Sequence, residues 1–492
     1  MEFTPPLSRQ EYLTEESETQ ETSFFHTLAR RINGLVFVSL LLLLILVAVP
    51  YGTVEPWSEA FFECAIFGLT TLWILEGLIR GSWQFPERAL FLPLLAVVGF
   101  ALLQTIPFRS LPASTGMSDT VWYAISADPY NTLRFALKLT ALLLAGLLLF
   151  SLIHNRTRLR IVIMTILCVA LGSAIFGLLR QTVQRDVGGF ILPYLPLGLG
   201  YGQFINSNHF AYLMELSLGL PLSLILTRSR ARQRWLLFAG VATPLLLALI
   251  LSNSRGGLLG LGCQVLFILF FSQPRNLGGE EKDAEISWFT RLSRTALFRW
   301  FLGGLLVVVL VVGISWVGGD PLLNKLGAVS GEVTAVGDAT REGTRRLDIW
   351  RATWKLIQEH PLVGVGFGGY WIAIPQYHQA SGRLIPQEAH NDYLEILASG
   401  GVIGVVLWGW FLVVFLRRAV QHLHSIISRE QRAICIGALA GLFAVAVHSL
   451  VDFGLHLTIN ALLTTTLVVI ALSNPISERV SIKHAFRVSP KV

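Results

Sequence analysis

Long apolar runs recur along this chain, and they restrict it to very few folds. LVFVSLLLLLILVAV at 35–49 is one of them. A helix needs about 20 predominantly apolar residues to cross hydrocarbon. Scanning for such runs gives twelve spans: 33–50, 58–80, 88–107, 131–153, 159–180, 206–227, 235–251, 255–272, 299–317, 399–416, 433–450 and 456–473. Composition agrees, since 53% of the 492 residues are hydrophobic and only 14% are charged, where soluble chains average about 25% charged. The expected fold is therefore an all-α polytopic membrane protein of about twelve transmembrane helices. One long hydrophilic loop, 318–398, interrupts it.

The ends and the cysteines add exclusions. The first apolar run is too long for a cleavable leader, and an acidic stretch (Glu11, Glu15, Glu16, Glu18, Glu21) precedes it. Residues 1–30 are expected to be a disordered cytoplasmic tail and 475–492 a basic one. Cys64, Cys168, Cys263 and Cys435 all fall in apolar runs, so neither a disulfide framework nor a thiolate metal site is expected.

Basic residues set the orientation. With the N-terminus inside, the cytoplasmic connections carry Arg80 and Arg88, then Arg156, Arg158 and Arg160, then Arg228, Arg230, Arg232 and Arg234, and so on to Arg417, Arg418, Arg429 and Arg432. Twelve spans return the C-terminus to the same side. The net charge of +7 is spent on this pattern and does not point to nucleic acid. Outward basic residues oppose the topology signal and so call for a use. They are Arg109, Arg134, Arg180, Arg185 and Arg255 in short connections, and Lys325, Arg341, Arg345, Arg346, Arg351, Lys355 and Arg383 in the long loop, with Lys138 inside the fourth span. An ionisable group in a membrane costs on the order of 3 kcal/mol, which makes Lys138 a functional candidate.

Inside the long loop, 341–360 reads as an amphipathic helix with Leu347, Trp350, Trp354 and Ile357 as its apolar stripe. Pro361 stops it. Such a helix is expected at the membrane interface, with its tryptophans at headgroup depth. GVGFGGYW at 364–371 then offers a turn whose backbone N–H groups can approach a phosphate, though it lacks the GK[ST] of a nucleotide loop. His390 stands at the start of the tenth span, where a helix N-terminus favours a neutral imidazole able to take a proton. Asp392 and Glu395 are the local groups that could orient it or cap the helix. His448, Asp452 and His456 share one face if their helix is continuous. Together with Asn206, Asn208 and His209 they are expected to line a cavity for carrier or acceptor sugars, or to satisfy one another, in preference to holding a metal.

Five segments resemble the O-antigen ligase/polymerase superfamily of bacterial membrane glycosyltransferases. They are LSNSRGGLLGL (251–261), RRLDIWRATWKLIQEHPLVGVGFGGY (345–370), HNDYLEILASGGVIG (390–404), GQFINSNHFAYLMEL (202–216) and HSLVDFGLHLTIN (448–460). The resemblance covers the chain from the sixth span onward. It implies a GT-C-like bundle in which 31–200 are N-terminal helices, 201–317 the ligase/polymerase core, 318–398 a periplasmic catalytic loop and 399–474 the C-terminal helices. It further implies transfer of a glycan from an undecaprenyl-diphosphate carrier to a glycan or lipid A-core acceptor, at the periplasmic face of the inner membrane, without cofactor or required metal. By resemblance His390, Arg255 and Arg346 are catalytic. Substrate contacts are expected from Arg345, Arg351, Lys138, Arg180, Arg185, Asn206, Asn208, His209, Tyr370, Asn391, His448, Asp452 and His456. Chain-length regulators or export proteins are further expected partners. Two alternatives stand beside this reading: a protein O-oligosaccharyltransferase of the same superfamily, and a small-anion transporter built on Lys138, Glu76 and Glu215.

Overall fold

The computed structural model describes residues 9–49, 51–83, 85, 87–107, 124–183, 200–226, 235–272, 301, 304–305, 308–309, 312, 346–378 and 386–474. Among them the chain is helical, with two isolated β-bridges and no sheet. Seven helices are long and apolar enough to cross a membrane. They are α1 (Arg9–Leu46, apolar from Phe24), α2 (Pro56–Arg80), α4 (Pro129–Leu152), α5 (Arg156–Val183), α6 (Ser207–Leu226), α11 (Asp392–Ser425) and α12 (Arg429–His448). Four shorter apolar helices accompany them: α3 (Arg88–Gln104), α7 (Trp235–Leu251), α8 (Arg255–Phe271) and α13 (Thr458–Leu472). The loop contributes α9 (Arg346–Glu359) and the single turn α10 (Tyr370–Ala373). Eleven of the twelve expected spans thus coincide with apolar helices. The ninth, 299–317, falls almost wholly outside the described residues, as do the tail 475–492, Arg185 and Arg345.

Two boundaries differ from the sequence reading. Helix α1 begins at Arg9, so residues 9–30 continue the first span's helix instead of forming a disordered lead-in. Their glutamates are good helix formers in their own right. Helix α11 begins at Asp392 and not at 399, because Asn391 caps it by accepting from Tyr393 N and Leu394 N, both at 3.0 Å.

Helix α6 is the buried centre, with almost every residue from His209 to Pro221 enclosed. Small residues let it approach its neighbours closely. Gly219 meets the backbone of Gly437 and Gly441 on α12, and any Cβ there would collide with main-chain atoms. This is the packing expected where burial in lipid gives no hydrophobic drive between helices. Cations cluster at one end of the bundle: Arg80 pairs with Glu76 at 2.5 Å, Arg160 with Glu430 at 3.3 Å and Arg418 with Glu87 at 3.5 Å. The starts of α4, α6, α8, α11 and α13 lie at the other end, together with the turn 449–457.

The loop after α9 is welded to a break in α11. Gly401 leaves helical geometry (φ 59, ψ −161), a region open only to glycine. The break exposes carbonyls and amides that the loop then takes up. Val365 N donates to Ala398 O at 3.0 Å, Gly366 N to Ser399 O at 2.9 Å, and Val402 N to Pro361 O at 2.8 Å. Buried Gln104, at the end of α3, completes the joint. Its Nε2 donates to Val363 O (2.8 Å) and Ser399 O (3.1 Å), and its Oε1 accepts from Phe367 N (3.2 Å).

Candidate active site

The buried carboxylate of Asp452 organises the site. It lies in the turn between α12 and α13, which ends in a 3₁₀ turn, Gly454–His456. Three elements converge on it. Asn208, from the first turn of α6, donates its Nδ2 to Oδ2. Arg346, the first residue of α9, donates to the same oxygen at 3.1 Å. His390 places Nδ1 3.7 Å from Oδ1, an ion-pair approach longer than a hydrogen bond. Phe453 N donates to Oδ1 at 2.9 Å. Burial on its own would raise the Asp452 carboxyl. The His390 imidazole and the Arg346 guanidinium outweigh it and hold the group well below the usual carboxylate range.

His390 has a left-handed backbone (φ 50) immediately before the Asn391 cap. Its ring rests edge-on against Phe453 at 4.8 Å, and His209 touches the same phenyl at 4.8 Å. A third of its side chain is exposed (32%). With Nδ1 turned to Asp452, Nε2 is the nitrogen left for chemistry. A carboxylate on one imidazole nitrogen fixes the tautomer and makes the other the base. The sequence reading named Asp392 and Glu395 as groups that could orient the ring or cap the helix. In the structure the carboxylate facing His390 Nδ1 is that of Asp452, and those two acids face His456.

The Ser-Arg-Gly turn explains itself locally. Ser254 caps α8 by accepting from Gly257 N at 3.1 Å, and Arg255, exposed, is its first residue. Gly256 lies against the His448 ring, Gly257 against Ala211, and Gly260 against Glu215, so side chains larger than hydrogen do not fit. These contacts bring Arg255 to the same end of the bundle as Asp452.

Several expected substrate residues have other tasks. Lys138 pairs with Glu59 at 2.6 Å and donates to His456 O at 2.7 Å, and Arg134 shares Glu59 at 2.7 Å. Arg180 is buried and donates to Gly202 O at 2.8 Å. Tyr370 is core, its hydroxyl 2.6 Å from Thr353 Oγ1. Asn391 spends its oxygen on the cap and its amide on Leu450 O (2.8 Å). Asn206 Oδ1 accepts from Asn208 N at 2.9 Å, ordering the start of α6. Arg351 is exposed and pairs with Asp348 at 3.1 Å. The supposed common face of His448, Asp452 and His456 does not form, because α12 ends at His448. His448 is buried, stacked on Tyr212 at 4.1 Å and paired through Nδ1 with Glu215 at 3.0 Å. His456 instead faces Glu388 (3.4 Å), Asp392 (3.5 Å) and Glu395 (3.6 Å).

The glycine-rich turn does not cradle an anion either. The amides of Gly364, Val365, Gly366, Phe367 and Gly369 all donate within the protein. Its glycines serve close backbone packing on α11. On helix α9, Ile349, Ala352, Thr353, Leu356 and Ile357 are buried within the protein, while Trp354 of the expected interfacial stripe is exposed. Trp350 turns its Nε1 to Ala389 O at 3.1 Å, which ties the helix to the His390 segment.

Residues 239–409 match the family model Wzy_C, described as O-antigen ligase. That span runs from α7 into α11 and includes Arg255, Arg346 and His390. No curated protein is a significant match to the chain.

Proposed function

We propose a membrane glycosyltransferase of the bacterial inner membrane, a reading supported by the match of residues 239–409 to the O-antigen ligase family model. It transfers or polymerises an undecaprenyl-diphosphate-linked glycan at the periplasmic face. The observation that carries the reading is the pairing of His390 Nδ1 with buried Asp452, the same carboxylate that holds Arg346.

His390 Nε2 takes the proton of the acceptor hydroxyl. The hydroxyl oxygen attacks the anomeric carbon, and the bond from that carbon to the diphosphate oxygen breaks on the opposite side. The electron pair leaves with undecaprenyl diphosphate, so configuration inverts. A positioned base contributes about 10²–10⁴-fold. Arg346 and Arg255 meet the charge gathering on the diphosphate, where guanidinium forks suit phosphate oxygens. The proposed chemistry uses no metal. The acceptor is a surface-glycan chain or lipid A-core. The pairing of Lys138 with Glu59, Glu215 with His448 and Glu76 with Arg80 supports the transferase reading over the transport alternative.

The test uses the purified full chain in nanodiscs with lipid-diphosphate-linked oligosaccharide from the source strain. Release of undecaprenyl diphosphate is followed for wild type, His390→Ala, Arg255→Ala and Arg346→Ala. Wild type releases carrier, and each variant falls by about 10²-fold or more. Activity of His390→Ala equal to wild type, or no release with any acceptor offered, overturns the reading.

A further inference from the structure

Inside the bundle lies a pair of ionisable side chains that the proposed reaction does not use. Glu215 on α6 and His448 at the end of α12 are both fully buried, with Nδ1 3.0 Å from Oε2. Resting on the transferase reading, we propose that this pair is a positioning unit. It seats the start of α8 and so fixes where Arg255 stands relative to Asp452.

Three observations carry this. First, the pair meets α8 at the turn that bears Arg255. His448 Nε2 lies against Gly256, and Glu215 Oε1 lies against Gly260. Residues four apart share a helix face, so the two side chains form one seat under the opening turns of α8. Gln264, further along α8, donates its Nε2 to Glu215 O at 2.8 Å and fastens the helix to the same place on α6. Second, the same histidine holds the Asp452 turn. Its carbonyl accepts from Val451 N at 2.9 Å and from Asp452 N at 3.1 Å. One residue therefore touches the Arg255 turn with its ring and the Asp452 turn with its backbone.

Third, the pair is a poor way to add stability. Glu215 Oε1 and His448 Nε2 are buried without hydrogen-bond partners, and ionisable groups within a span are costly. Apolar side chains often replace a buried pair with no loss of stability. What they do not supply is direction. A hydrogen bond to Nδ1 fixes the rotation of the ring, whereas apolar burial is non-directional. Tyr212, stacked on the ring at 4.1 Å, sets its plane, and Glu215 sets its rotation within that plane.

The test follows release of undecaprenyl diphosphate by the full chain in nanodiscs, with rates taken per folded protein and melting recorded for each variant. Glu215→Met combined with His448→Leu removes both polar side chains. It leaves the carbonyl of residue 448, so the Asp452 turn keeps its hydrogen bonds. This double variant melts at or near the wild-type temperature, while kcat falls about tenfold to a hundredfold and KM changes far less. Glu215→Gln with His448 retained rescues most of that loss, since an amide can accept from Nδ1–H or donate to Nδ1. In an Arg255→Ala background the double substitution costs no further rate, because the pair acts through that arginine. His448→Gln keeps a polar partner for Glu215 and loses the ring, and it too is slow. Together with Glu215→Gln it carries the test if the double variant does not fold. The inference is overturned if the folded double variant or His448→Gln releases carrier at the wild-type rate. It is equally overturned if Glu215→Gln is as slow as the double variant, or if the losses multiply with that of Arg255→Ala. Failure of the wild type to release carrier is a different result, which overturns the transferase reading and this inference with it.

Discussion

Asp452→Asn is the sharpest perturbation of the proposed base. The asparagine can keep its oxygen at the Oδ2 position, where Asn208 and Arg346 donate. Its amide then replaces Oδ1 and presents a donor both to His390 Nδ1 and to Phe453 N–H. Donating to Nδ1 moves the imidazole proton to Nε2, the atom that must accept from the acceptor hydroxyl. The other rotamer sets the amide against the Arg346 guanidinium, donor against donor. Either way the base is lost while the pocket keeps its shape, so kcat should fall on the order of 10²–10³-fold, with KM changed far less. Stability should fall by about 1–2 kcal/mol, less than a fully buried pair would lose, because Arg346 is a quarter exposed. That loss depends on pH. A carboxyl held below its ordinary value stabilises the fold above about pH 4 and stops doing so as pH falls through the depressed value. The melting difference between wild type and Asp452→Asn should therefore be full at neutral pH and shrink in acid. Single-turnover release of undecaprenyl diphosphate is the assay, with His390→Ala and the double variant alongside. If the two residues act as one unit, the double variant is no slower than His390→Ala. The reasoning fails if Asp452→Asn stays within about threefold of wild type, or if the two losses multiply.

Other substitutions probe the scaffold. Gly401→Ala puts a Cβ into the Leu362 backbone at a φ/ψ that only glycine holds. It should cost at least about 1–3 kcal/mol, seen as a lower melting temperature in detergent. Gln104→Ala strands Phe367 N–H and the Val363 and Ser399 carbonyls. It should destabilise by about 1–3 kcal/mol and slow release, and Gln104→Glu, lacking the donor, should not rescue it. Lys138→Met leaves Glu59 to Arg134 and should lower carrier release by no more than about tenfold, far less than His390→Ala. The reverse order would favour transport.

The apolar helices were legible because hydropathy over a span is a local property, and a run such as 35–49 has few other ways to fold. His390 and Arg346 were legible as candidates, and the structure does bring them to one carboxylate. Which carboxylate was not legible. Asp392 and Glu395 lie beside His390 in sequence, whereas Asp452 reaches it only because α12 ends at His448 and the chain turns back. The same helix end separated His448, Asp452 and His456, which share a face only on a continuous helix. The glycine-rich turn pointed to phosphate because the destination of backbone N–H groups is a tertiary fact, settled here by Gln104 and the break in α11. The apolar stripe on α9 did not reveal which residues pack inward, since Trp350 finds a carbonyl and Trp354 stays exposed while Ile349, Ala352 and Leu356 are buried. Glu59 and Glu388 carried no local signal, since a lone acid in a connection reads as solvated.

The joint between Pro361–Gly369 and the break in α11 has a consequence for how this protein opens. Segments without regular secondary structure ordinarily exchange their amide hydrogens quickly and are the first to be cut by proteases. Here the amides of Val365, Gly366, Phe367 and Val402 are held by carbonyls and a buried glutamine. They should exchange together and slowly, at the rate at which α11 separates from α3. Composition marks this stretch as a surface coil, yet its lifetime is that of the helices it joins.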